Sequence, residues 1–158
     1  MDRDLDSLTR SYTRLSRDVG GRIEFACDLN STEALSVAEE EKAHLDQAFF
    51  VISFSALEKK ITLLASVPLK TAKQRAALRS AAFEKRLVSA VKIARETLGN
   101  EPKWAVDPGM PTIRHWYAIR NEIAHGDPPT QLVDVPPVIY LADAVATTLE
   151  RVVRAISL

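Results

Sequence analysis

The sequence predicts an all-α fold, an antiparallel bundle of about five helices forming a single domain over residues 1–158. Three observations carry this. Apolar residues recur at three- and four-residue spacing along nearly the whole chain, the pattern that gives a helix one buried side. No stretch alternates apolar and polar residues with strand-like β-branched enrichment. The breaks between periodic stretches are short or rich in proline, as connections in a helical bundle are. With 46% hydrophobic residues in 158, the chain can bury a core without disulfide or metal staples.

The first helix is expected over about 3–28, with Gly20-Gly21 as a candidate break, and residues 1–30 read as an extension of a bundle core formed by 31–158. A second helix starts at a Ser31 or Thr32 cap and runs to about Val67, where Pro68 ends it. Its expected core stripe is Leu45, Ala48, Phe49, Ile52, Ala56 and Leu63. The third covers about 70–98, with Phe83, Leu87, Val91, Ala94 and Leu98 inward and Gly99-Asn100 as a stop. The loop GNEPKWAVDPGMP holds three prolines and two glycines and is read as irregular. Pro111 then suits the first position of a short fourth helix ending at His125, with Gly126 beyond it. DPPTQLVDVPP is a connector, and a last helix over about 137–157 repeats Leu141, Val145, Leu149, Val152 and Ile156.

Composition narrows the function classes. The single cysteine, Cys27, excludes an internal disulfide framework and a multi-cysteine zinc site; it reads as a small residue packed between helices. The start, MDRDLDSLTR, lacks the apolar core of a signal peptide, and the apolar run AFFVISFSALE is too short and too polar for a membrane span. A cytoplasmic protein is expected, without a membrane partner. Twenty-one basic residues balance twenty-one acidic ones, so no overall field draws the chain to nucleic acid. The distribution is uneven. Residues 70–95 carry Lys70, Lys73, Arg75, Arg79, Lys85, Arg86, Lys92 and Arg95 against the lone acid Glu84. Such a run is either a solvated helix face or a wall that meets a phosphate backbone, Lys85, Arg86, Lys92 and Arg95 being its candidate RNA contacts. Three scattered histidines supply no metal-ligand spacing, and neither a Gly-rich phosphate loop nor a dinucleotide fingerprint occurs, so no cofactor is expected.

The segment WYAIRNEIAHGDPP, residues 116–129, is the exception to an ordinary helix pattern. At 100° per residue, Arg114, Asn121 and His125 fall within about 60° of one another on a polar face. Arg120 lies about 140° from His125, on the side of Ile113, Trp116 and Ala124. A guanidinium there either reaches out to solvent or has a buried acidic partner. Glu58, in FSALEKKI, is the candidate partner, the alternative being a surface pairing of Glu58 with Thr62 or a nearby lysine. If Glu58 is the partner, Arg120→Ala should cost about 3 kcal/mol through the stranded carboxylate.

Arg120-Asn121 followed by His125 and Gly126 resembles the Arg-Asn-x-x-x-His signature of the HEPN superfamily, helical bundle proteins named for higher eukaryotes and prokaryotes nucleotide-binding domains; SALEKKI resembles that family's earlier helix. The resemblance spans the chain from the second helix onward. It implies an HEPN-like bundle and metal-independent RNA cleavage, with Arg120, Asn121 and His125 catalytic and the motif facing its copy across a homodimer. It also implies a toxin or defence effector, with an antitoxin or other regulatory protein as a partner. The residue types fit that chemistry. Attack by a 2′-hydroxyl needs a base, an acid at the leaving 5′-oxygen and positive charge at the phosphorus. Histidine titrates near neutrality, and arginine's fork gives two charge-assisted hydrogen bonds to a phosphate. Asn121, one turn before His125, is placed to orient the imidazole or hold an oxygen. Arg114 and Glu58 are supporting residues, while His115 reads as a rim residue and His44 as solvated. One histidine does not conveniently serve as acid and base in one step, and a two-fold axis would supply a second. Trp116, Tyr117 and Ile119 exceed what one internal stripe needs and so point to a dimer surface. A non-catalytic binding or dimerisation module is the competing class.

Overall fold

A computed structural model describes residues 3–126 and 132–157. Six helices are present among them and no strand: α1 Arg3–Asp28, α2 Thr32–Ser66, α3 Ala72–Arg79, α4 Phe83–Leu98, α5 Met110–Ala124 and α6 Val135–Ile156. No described helix is long and apolar enough to cross a membrane.

The local signals for the ends of the helices act as the side chains dictate. Ser31 Oγ accepts from Ala34 N–H at 3.3 Å to start α2. Thr71 and Gln74 form a reciprocal capping box at α3. Gly99 ends α4 at φ 76° and Gly126 follows α5 at φ 83°, both in the left-handed region that glycine enters without a Cβ clash.

α2 is the central element, packing most extensively against α6 and α1 and then against α4. Tyr12 meets Asp46 and Phe49, and Arg22 meets Glu41, so α1 runs antiparallel to α2. Gly20 and Gly21 do not break α1. Val19 and Ala26, 5% and 2% exposed, anchor the helix on either side of the pair. That packing offsets a helix cost of about 1 kcal/mol for each glycine. Leu5 belongs to the common core, with Leu8 and Tyr12 packed against it, so the N-terminal helix is tied to the bundle through its first half.

The helix expected over 70–98 is broken: Ser80 N–H and Oγ–H both return to Ala76 O, and Ala82 is extended at ψ 147°. α3 buries none of its residues, whereas Phe83 enters the core and sets a new axis for α4. The core face of α2 is also rotated from the expected stripe. Phe50, Phe54, Leu57, Ile61 and Leu64 are fully buried, whereas Ala48 is exposed and Ile52 and Leu63 are 51% and 42% exposed. Leu45, Phe49 and Ala56 are half-buried. α2 is apolar nearly all round in this stretch, so periodicity did not choose between its faces.

On α4, Phe83, Leu87, Val91 and Ala94 are inward, and on α6, Leu141, Val145 and Val152 are buried. Ile156 is 53% exposed. The connector before α5 is held by Trp104, 3% exposed, whose indole N–H donates to Thr148 Oγ at 3.1 Å. Its path leaves helical geometry at Asp107, which is extended at φ −136° and ψ 112°. Cys27 is a free, exposed thiol rather than a packed interface residue.

Candidate functional site

α5 carries the Arg-Asn-x-x-x-His segment, and its orientation is fixed by three apolar anchors. Ile113 and Ile119 are buried, at 0% and 5% exposure. Tyr117 stacks on Phe83 at the start of α4, with centroids 4.4 Å apart and planes at 17°, and both rings contact Phe54 of α2. Trp116 is half-buried against the core and lines a cleft of about 710 Å³ between the α5 connector and α6. Ile119 is therefore buried within the protomer and Tyr117 packs on α2 and α4, while Trp116 stays half-buried at the cleft. Of the three residues expected at a dimer surface, Ile119 is committed to the core and Trp116 and Tyr117 are partly exposed.

One turn after Trp116, Arg120 is half-buried and faces α2, where its Nη2 lies 3.8 Å from Glu58 Oε2. Glu58, however, has a closer partner. Arg86 of α4 donates from Nη2 to Glu58 Oε1 at 2.5 Å and from Nη1 to Thr62 Oγ at 2.9 Å. Its guanidinium also sits 5.8 Å from the centre of the Phe83 ring. The Thr62 hydroxyl itself donates to the Glu58 backbone carbonyl at 2.8 Å. The result is a cluster in which one carboxylate, 18% exposed, is shared by Arg86, 13% exposed, and Arg120, 28% exposed. The Nε–H groups of both arginines are buried without a hydrogen-bond acceptor.

Asn121 Oδ1 accepts from Arg120 Nη1 at 3.0 Å, so this oxygen braces the arginine rather than the imidazole. His125 caps the C-terminal end of α5 through its backbone, donating N–H to the carbonyl oxygens of Asn121 and Glu122 at 3.0 and 3.2 Å, and is exposed. Ala124, expected on the inward side with Arg120, is exposed as well. The DPP segment after Gly126 lies outside the described residues.

The remaining candidates are not brought to this cluster. Arg114 is exposed and held in a two-point pair with Glu84 of α4, Nε to Oε2 at 2.8 Å and Nη2 to Oε1 at 2.6 Å. That hydrogen bonding holds the Glu84 carboxyl below the usual glutamate range and raises the Arg114 guanidinium further. Lys85, Lys92 and Arg95 are exposed along α4, Lys92 with Glu96 at 3.8 Å. Arg86 does not join them on the solvent side. The basic run of the sequence is thus split between α3 and α4, and its most buried member is a partner of Glu58.

Sequence reasoning named Arg86 only as a candidate RNA contact and missed its pairing with Glu58, although the signal existed. Arg86 falls three residues after Phe83 and beside Leu87, at the border of the α4 apolar stripe, the same anomaly that singled out Arg120 on α5. Among the described residues, no group of three or more His, Cys, Asp or Glu side chains is arranged to hold a metal ion. Comparison of the chain with family models, with curated proteins and with solved structures finds no match.

Proposed function

We propose that the protein is a metal-independent endoribonuclease of the HEPN type, acting in the cytoplasm on RNA through a composite site at a homodimer interface. The observation that carries the reading is the placement of Arg120. A guanidinium braced by Asn121 and steadied by Glu58 keeps N–H donors and more than a quarter of its side-chain surface for an incoming phosphate. His125 lies at the open end of the same helix, where an imidazole can exchange protons with a bound strand.

In this reading the 2′-oxygen attacks phosphorus while one His125 takes the 2′-hydroxyl proton. The bond from phosphorus to the 5′-oxygen breaks as the second protomer's copy of this histidine protonates the leaving oxygen, giving a 2′,3′-cyclic phosphate and a 5′-hydroxyl. Arg120 stabilises the charge on the pentacoordinate phosphorus. Such an activity fits a toxin or defence effector restrained by an antitoxin or regulatory protein. A non-catalytic binding module is the second reading, favoured by the engagement of Asn121 Oδ1 with Arg120 rather than with His125.

The test is incubation of purified protein with structured and unstructured RNA in excess EDTA. Cleavage by the wild type to cyclic-phosphate ends, lost in His125→Ala, supports the enzyme; RNA binding without cleavage by the wild type selects the module.

A further inference from the structure

One carboxylate facing two guanidinium groups leaves a net charge of +1 in a half-buried cluster. The two pairings are unequal. Glu58 gives Arg86 a hydrogen bond of 2.5 Å and Arg120 only an ion contact of 3.8 Å. Arg86 is further fixed by Thr62 and by the Phe83 ring, which is itself stacked on Tyr117 of α5. Both buried Nε–H groups lack an acceptor among the described residues, and Arg120 is the more exposed of the two. The uncompensated charge is therefore presented on Arg120, and a charge held at reduced dielectric attracts an anion more strongly than one fully in water.

We propose that Glu58, Arg86 and Arg120 together form an oxyanion-binding site for a nucleic-acid phosphate, in which Arg86 is a positioning residue. By holding the Glu58 carboxylate, Arg86 prevents it from closing on Arg120 as a tight one-to-one pair. Without Arg86, Glu58 turns to Arg120, the cluster becomes neutral, and the phosphate is no longer attracted. The inference depends on the ribonuclease reading only for the identity of the anion.

The test measures binding separately from cleavage. A fluorescent DNA oligonucleotide, which has no 2′-hydroxyl and so is not cleaved by that route, is titrated by anisotropy. Inorganic phosphate is titrated by chemical-shift changes of the arginine Nε–H groups. Arg86→Gln should weaken both about tenfold, the effect of one unit charge near a phosphate at protein-surface dielectric. It should raise KM for RNA by a similar factor with a smaller change in kcat. Arg86→Lys, and the double variant Arg86→Gln/Glu58→Gln, which restores the net +1, should return affinity to within about threefold of wild type. Circular dichroism at the assay temperature verifies folding, and the lysine and double variants keep the test open if Arg86→Gln unfolds. Unchanged affinity in Arg86→Gln, or no recovery in the folded double variant, overturns the proposal. Arg86 dependence with inorganic phosphate but not with the oligonucleotide overturns the assignment to nucleic acid. The expected binding pattern in a protein that cleaves no RNA supports the site and sinks the ribonuclease reading alone.

Discussion

Removing Arg86 should destabilise the protein much more than removing Arg120, the reverse of what the sequence motif would lead one to expect. Arg86→Met deletes the 2.5 Å bond to Glu58, the 2.9 Å bond to Thr62 and the contact with the Phe83 ring. It leaves Glu58, 18% exposed, with Arg120 at 3.8 Å among the described residues. Breaking a pair this well buried costs about 3 kcal/mol. Arg120→Met leaves Glu58 held by Arg86 and removes one long contact and the 3.0 Å bond to Asn121 from a side chain 28% exposed, so about 1 kcal/mol is the expectation. The 3 kcal/mol expected for Arg120→Ala from the sequence shrinks for the same reason: the carboxylate is not stranded. At about 2–4 °C per kcal/mol for a chain of this size, the thermal midpoint should fall by about 9 °C for Arg86→Met and about 3 °C for Arg120→Met. Thermal and urea denaturation followed by far-ultraviolet circular dichroism measure this directly. A double-mutant cycle should give Glu58 a larger coupling to Arg86 than to Arg120. Equal losses, or stronger coupling to Arg120, would refute the hierarchy read from the distances.

His125→Ala should abolish RNA cleavage and leave the thermal midpoint within about 3 °C, since the exposed imidazole buries little and the backbone cap is kept; cleavage retained in a pure sample removes His125 from the mechanism. Leu57→Ala, at a fully buried position of α2, should cost about 3 kcal/mol, and Ile52→Ala, at a position 51% exposed, under about 0.5 kcal/mol; chemical denaturation giving the opposite order would restore the stripe first expected for that helix. Tyr12 is pushed up to about 12 by burial and by its hydrogen bond to Asp46. Because the folded value is raised above the ordinary tyrosine value of about 10, its contribution is complete below that pH and is lost as pH climbs towards 12. Absorbance titration at alkaline pH should show one late phenol that disappears in Tyr12→Phe, and a single midpoint near pH 10 for every tyrosine would contradict the environment described.

Much of the fold was legible because it is written in local chemistry. Ser31, Pro111, Gly99 and Gly126 stop or start helices through hydrogen bonds and φ values that depend on a few neighbouring residues. What failed to show was decided at a distance. No proline or glycine marks the break at residues 80–82; α3 has no fully buried residue, only Leu78 partly buried against the core, while Phe83 is drawn into it. The face of α2 was ambiguous because Ile52 and Leu63 are as apolar as the neighbours that packing selects. At the candidate site, the wheel placed Arg120 towards α2 from its own helix alone. The competing claim of Arg86 on Glu58 belongs to the meeting of α2 with α4, which no single helix encodes.

The two residue types that the proposed chemistry needs are held in opposite ways. Arg120 is braced by its neighbour Asn121 and makes a long ion contact with Glu58 of α2, whose closer partner is Arg86 on α4. If Arg120 receives a phosphate as proposed, these contacts would place it beforehand, the condition for a cation to stabilise charge without a reorganisation cost. His125 follows the last residue of α5, is exposed, and precedes a glycine at φ 83°. Among the described residues, no hydrogen bond or ion pair holds its imidazole. In the proposed site, an arginine held by its neighbours and a histidine left open would bind a strand more readily than cut one. If cleavage occurs, the second surface that packs against the end of α5 must orient the histidine, whether that surface is RNA or another copy of the chain. Cleavage rate should then rise more steeply with protein concentration than phosphate affinity does if the second surface is a protomer. The two should run in parallel if it is the RNA itself.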